Sequence, residues 1–388
     1  MGVTGSAVPA REGAPSRLPG LDVLRAVAVL LVIGRHTMFF PPDASWPAPL
    51  ASAMRVWIRG GWIGVDLFFV LSGFLVSGLL FREYQVHGRL RIGRFLLRRG
   101  LKIYPAFYTL IAASVCGIVV RQGCRSIPWR EIAAESVFLQ NYWAAYWWHT
   151  WSLAIEEHFY LLCALLLFAL SRRSRGGDPF RAVPWGFVLV ATVELVLRIG
   201  TALAPGPYQN ATHLTPTHLR LDGLSFGVLL SYAYHFHRAW IETRLRGREG
   251  ALALSGLAML APAFAFPLES TPFVYTAGFT LFWMGSGLLV VAVVLRGVPG
   301  GAASRGLAWS VATVLHLPLA HPGALRRHGA PGPRGNLARV DGGRHRLRDG
   351  EPRLRHRHGE DRRDARPAAT RSVAALSCRA PGACRGSK

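Results

Sequence analysis

The residues equipped for chemistry in this chain are charged and polar groups set inside apolar stretches. Arg25 and His36 stand eleven positions apart in one such stretch. On a helix that spacing is close to three turns, which puts both on one face about 16 Å apart. Asp22, one turn before Arg25, is placed to pair with it. A guanidinium holds anions, and an imidazole takes or gives a proton near neutral pH. Asp66 enters a second apolar stretch at a depth similar to His36, where a carboxylate can orient the ring and raise its basicity. Arg98, Arg99 and Lys102 form a cation cluster suited to phosphate groups. Glu156 opens a further stretch and shares a face with Ser152 and Tyr160 at i, i+4 spacing. Glu156 and Glu157 together need a partner, and Arg220, beside Asp222 at the start of another stretch, can supply it.

Each group also has a plain structural use. Arg25 can snorkel to headgroups and His36 can sit at the interface. The cation cluster can set topology or meet anionic lipid. Gly64 and Gly73 can simply let helices approach. Glu194 and Arg198, an i, i+4 pair, read as structural. Against these uses stands the expense of ionisable groups in a bilayer, which makes each a candidate site. Sorted by depth, His36, Asp66, Glu156, Arg220 and Asp222 form a set able to move protons. Arg25, Arg98, Arg99 and Lys102 form a set able to hold an anion. No metal site is expected, because Cys116, Cys124, Cys163, Cys378 and Cys384 show no paired ligand spacing.

The elements that must position these groups are membrane helices. Of 388 residues 51% are hydrophobic and 17% charged, with mean hydropathy +0.26. That excludes an ordinary soluble enzyme, and five cysteines exclude a disulfide scaffold. Crossing a bilayer takes about 20 apolar residues. Eight stretches qualify, near 21–40, 62–81, 101–120, 151–170, 184–200, 219–237, 250–267 and 273–296. Lys and Arg concentrate in every second loop, which puts those loops on one face and the N-terminus in the cytoplasm. Asp22 and Arg25 argue against a cleaved signal peptide. The aromatic run 142–148 then falls at the outer interface.

Charge divides the chain a second time. The net charge is +24, and residues 301–388, with 18 Lys+Arg and 6 Asp+Glu, carry half of it. Three segments are expected: a cytoplasmic 1–20, a membrane-embedded 21–305, and a basic low-complexity 306–388. The last reads either as a basic tail or as a stretch translated out of frame. It lacks a nucleic-acid-binding module or interleaved aromatics, so no nucleic-acid partner is expected.

These segments resemble the acyltransferase type 3 family of multi-spanning bacterial O-acyltransferases. The likeness rests on Leu21-Asp22-Val23-Leu24-Arg25 through His36, Gly64-Val65-Asp66-Leu67-Phe68-Phe69 with Ser72-Gly73-Phe74, and Arg98-Arg99 with Lys102-Ile103 and Pro105. Trp151-Ser152-Leu153 with Glu156, and Arg220 with Asp222-Gly223, complete it. The family implies an all-α bundle of about ten spans in the bacterial inner membrane. It also implies an acyl-CoA co-substrate and no permanently bound cofactor. The acceptor is a hydroxyl on a small molecule or glycan. His36 would be the general base, with a covalent acyl-imidazole as the mechanistic alternative. Arg25 would hold the donor, with Arg98, Arg99 and Lys102 at its entrance, while Asp66 and Glu156 orient the centre and Arg220 and Asp222 serve the substrate. Lys102 departs from the family's usual Arg, and the likeness ends near Trp309. A chain of this size looks like the macrolide O-acyltransferases of antibiotic biosynthesis. Exopolysaccharide or envelope-glycan O-acetylation is the alternative, and a proton-coupled transporter is the reading from another class.

Overall fold

A computed structural model gives the fold. It describes residues 18–37, 42, 45–143, 145–173 and 177–297. Every regular element among them is helical, and the architecture is an all-α polytopic membrane bundle. In chain order the helices are α1 (Pro19–His36), α2 (Ala48–Gly60), α3 (Gly64–His87), α4 (Ile92–Gln122), α5 (Trp129–Ser136) and α6 (Trp151–Arg173). There follow α7 (Val183–Leu203), α8 (Asn210–His213), α9 (Leu221–Phe236), α10 (Arg238–Leu245), α11 (Glu249–Leu260), α12 (Pro262–Ala265) and α13 (Phe279–Arg296).

All eight apolar stretches of the sequence are helical, but they are not equal. Five helical segments are long and apolar enough to cross a membrane, the first running continuously over Ala48–His87. Helix α1 has 18 residues but carries Asp22, Arg25 and Arg35. Helix α9 has 16 residues, and α11 with α12 forms a shorter apolar piece over Glu249–Ala265. The two further spans that the family implies fall in 306–388, outside the described residues, as does the basic segment itself.

Helix α3 is apolar on every side and is buried on every side, as that pattern requires. It packs against α1, α6, α9 and α13. Two of its glycines permit this. A methyl group at Gly64 would stand 2.4 Å from the Ala28 carbonyl oxygen of α1. At Gly73 it would stand 1.9 Å from that of Leu224 on α9. Both positions need a bare backbone, so the close-approach reading of these glycines holds.

Helix α4 lies at the edge of the bundle, with Leu97, Leu101, Tyr104 and Tyr108 exposed on its apolar face. Its N-terminal turns stand beside the start of α1, because the charges of Arg25 and Asp22 act on Lys102. The ends of α3 and α9 meet the segment after α6 through Phe81, Phe180 and Tyr232. One end of the bundle is therefore basic. His36, Asp66 and Trp151 lie toward the other, where α1 ends and α3 and α6 begin.

Candidate active site

At the basic end a cavity of about 470 Å³ opens between the last turns of α3 and the first turns of α4. Arg94, Arg98 and Lys102 line it at intervals of four, one stripe of a helix, and Arg99 and Arg82 add to them. Arg25 on α1 bonds Asp22 at 3.3 Å, the pairing read from the sequence. Among the described residues, no ion pair joins Arg94, Arg98 or Lys102 to a carboxylate. The arrangement can take a polyanion.

Arg99 leads from this cavity into the bundle. Its guanidinium stands 3.7 Å from the Glu156 carboxylate and 3.7 Å above the Tyr160 ring. The Tyr160 hydroxyl donates to Glu156 and lies against the Ser72 hydroxyl, so α3, α4 and α6 meet at one carboxylate. Glu157 accepts a hydrogen bond from the Tyr104 hydroxyl at 3.0 Å. The partner of the two glutamates is thus Arg99, not Arg220.

Arg220 belongs instead to Asp66, at 3.0 Å, with both side chains buried. Its guanidinium lies 3.8 Å from the centre of the Phe279 ring. Asp222 pairs with Arg198 and accepts from the Trp283 indole at 2.8 Å. Glu194 accepts the backbone N–H groups of Leu221 and Asp222, both at 2.9 Å. Those are two of the donors that the start of α9 leaves without a helical partner. Glu194 and Arg198 are structural, as their spacing suggested.

His36 ends α1. Its Nδ1 lies 2.8 Å from the Val32 carbonyl oxygen. A carbonyl only accepts, so Nδ1 carries the proton and the neutral ring keeps its lone pair on Nε2. That is the state a general base needs. The imidazole of His149 stands edge-on to it, with ring centres 6.2 Å apart and planes at 85°.

The family model described as an acyltransferase domain, the type 3 group, matches residues 18–309. The chain belongs to the acyltransferase type 3 family. It is 27% identical over 301 residues to O-acetyltransferase OatA of Staphylococcus aureus strain NCTC 8325 / PS 47, covering 73% of this chain and 46% of the relative. The same figures hold for OatA of strain MRSA252. A third staphylococcal protein, provisionally named an O-acetyltransferase, is 30% identical over 235 residues, covering 56% of this chain and 35% of its own length. The chain spans about half the length of the OatA proteins it matches. No solved structure matches it.

Within this acyltransferase domain the candidate residues fall into three groups rather than one. Arg98, Arg99 and Lys102 gather at the basic end with Arg25 near them. Asp66, Arg220 and Asp222 join a buried cluster with Arg198. His36 stands at the far end of α1, and Glu156 links the cation group to the middle of the bundle. Asp66 was expected to orient His36, yet its Oδ1 accepts from Arg220.

Two residues of the site escaped the sequence reading. His149 was lost in the aromatic run before α6, although it precedes Trp151-Ser152 by only two positions. Glu135 is a fully buried carboxylate on the short helix α5. It accepts the Trp147 N–H at 2.8 Å and lies 3.1 Å from the Thr150 hydroxyl. Burial lifts its pKa to about 7, against the opposing pull of the Trp147, Thr150 and Tyr146 hydrogen bonds.

Proposed function

We propose that this chain is a membrane O-acyltransferase that moves an acetyl group from acetyl-CoA to a glycan hydroxyl. The observation that carries the donor is the cation-lined cavity beside Arg25. Unpaired arginines and a lysine suit the phosphates of a coenzyme A thioester. Such a donor has its phosphates and its reactive carbon far apart. Arg25 and His36, about 16 Å apart on one helix, match that division.

In this reading His36 Nε2 takes the proton of the acceptor hydroxyl as its oxygen attacks the thioester carbonyl. The C–O bond forms, the C–S bond breaks, and the departing thiolate takes up the proton from the imidazolium. Arg99, with Glu156, fixes the passage between the cavity and the bundle interior. The names of the relatives support an acetyl group carried to oxygen. Of the two acceptor classes that the sequence left open, the envelope or exopolysaccharide glycan fits those relatives better than a macrolide ring.

The test is ester formation by the purified, bilayer-reconstituted chain supplied with acetyl-CoA and a polysaccharide acceptor. The expected result is acceptor-dependent thiol release, with His36→Ala lowering the rate about 10²- to 10⁴-fold. Full activity of His36→Ala would remove the proposed base. Failure of acetyl-CoA to be consumed with any hydroxyl acceptor would remove the donor.

A further inference from the structure

We infer that His149 is a positioning residue for His36, held against it by a turn that Glu135 clamps. This rests on the reading of His36 as the base. The Nδ1 bond to Val32 sets the tautomer of His36 but leaves the ring free to swing about that bond. A second ring standing edge-on, as His149 does, removes that freedom. A group that must meet an incoming hydroxyl needs this, because its aim has to hold within about 0.5 Å and 10–20°.

The turn that presents His149 is fixed from several sides. It is the single 3₁₀ turn Trp148–Thr150 ahead of α6. Glu135 on α5 receives the Trp147 N–H and sits beside the Thr150 hydroxyl. The Trp147 indole donates to Ser114 of α4 at 2.9 Å. Gln140 donates its side-chain amide to the Thr150 carbonyl at 3.1 Å. The Trp147 ring then backs His149, with centres 5.7 Å apart. A surface loop has no use for a buried carboxylate at its root. A loop that must hold one imidazole against another does.

The experiment compares kcat and KM for acetyl-CoA in reconstituted protein, with each variant normalised to the folded, monodisperse fraction. His149→Ala is expected to lower kcat about 10- to 100-fold with KM unchanged, the scale of a misaimed catalytic group. His149→Phe keeps an aromatic edge and is expected to recover to within about threefold of wild type. His149→Asn, polar without a ring of that size, is expected to resemble His149→Ala. Glu135→Ala is expected to lower kcat likewise. The Glu135→Ala/His149→Ala double variant should fall no further than the worse single, as coupled residues do.

Wild-type kcat in His149→Ala or His149→Asn, where His36→Ala is inactive, would overturn the inference and leave the function standing. A His149→Phe variant as slow as His149→Ala would also overturn it, because ring packing would then not be the role. If His36→Ala itself retains full activity, the base assignment falls first.

Discussion

The two ends of the bundle use the same residue types in opposite ways. Around Asp66, Arg220, Asp222 and Arg198 the charges close on one another, and all four side chains are buried. Around Arg94, Arg98 and Lys102 they face a cavity, and among the described residues no ion pair answers them. A charge buried without a partner costs several kcal/mol, so the first set stands only as a set. Cations at an open cavity keep their water and await an anion from outside. The comparison teaches where to look for function in an ion-rich membrane protein. Paired charges hold the helices in register, and unanswered ones face the substrate.

The strongest way to break this division is Arg220→Met. It leaves Asp66 buried opposite no cation, which costs about 3–5 kcal/mol. The expected outcome is a large drop in thermal midpoint of the solubilised protein, or its loss from the membrane. The double variant Arg220→Met/Asp66→Leu should regain much of that stability, since an apolar pair of similar volume replaces a buried ion pair at little cost. A single Arg220→Met variant as stable as wild type would show that the pair is not part of the frame.

The other end should respond in the opposite sense. Arg98→Gln/Lys102→Gln removes two cations from the cavity wall and no internal ion pair. Thermal midpoint should move little. KM for acetyl-CoA should rise about tenfold, the equivalent of roughly 1.4 kcal/mol of lost donor binding. Lys102→Arg, which restores a planar fork for phosphate, should hold or lower KM. Equal KM in the double glutamine variant and wild type would leave the cavity without its proposed role.

How much of this the sequence carried depended on the range of the interaction. The helices were legible because apolar length is a local property, and α1, α4, α6, α7 and α13 lie where the apolar stretches put them. Asp22 with Arg25, the Gly64 and Gly73 contacts, and the stripe of cations on α4 are all set by spacing within one or two helices. The partner of Arg220 was not legible. Asp66, Glu156 and Glu157 all lie toward the same end, and helix rotation alone decides among them. The short helices α2, α5 and α10 were missed, being too short or too polar to stand out as spans. His149 was hidden because its aromatic neighbours explain themselves as interface residues, and Glu135 because α5 was read as loop.

Glu135 sharpens the comparison, since it is a buried carboxylate whose hydrogen-bond partners are all neutral: the Trp147 and Tyr146 N–H groups and the Thr150 hydroxyl. With no cation to answer it, burial lifts its pKa from the ordinary 4.5 to about 7. Between these values the folded chain holds a proton that the unfolded chain has released. Its contribution to stability is therefore full below pH 4.5 and is lost as pH rises through about 7. The amount is of order 3 kcal/mol, because each tenfold change in proton affinity is worth about 1.4 kcal/mol. Glu135→Gln has no proton to lose, so its thermal midpoint should gain on wild type between pH 5 and pH 8. The measurement is the difference between the two midpoints at each pH, which cancels every other titrating group. A difference that stays constant across that range would mean that Glu135 is ionised throughout and is answered by a charge. The clamp on the His149 turn would then belong with the paired charges of the frame.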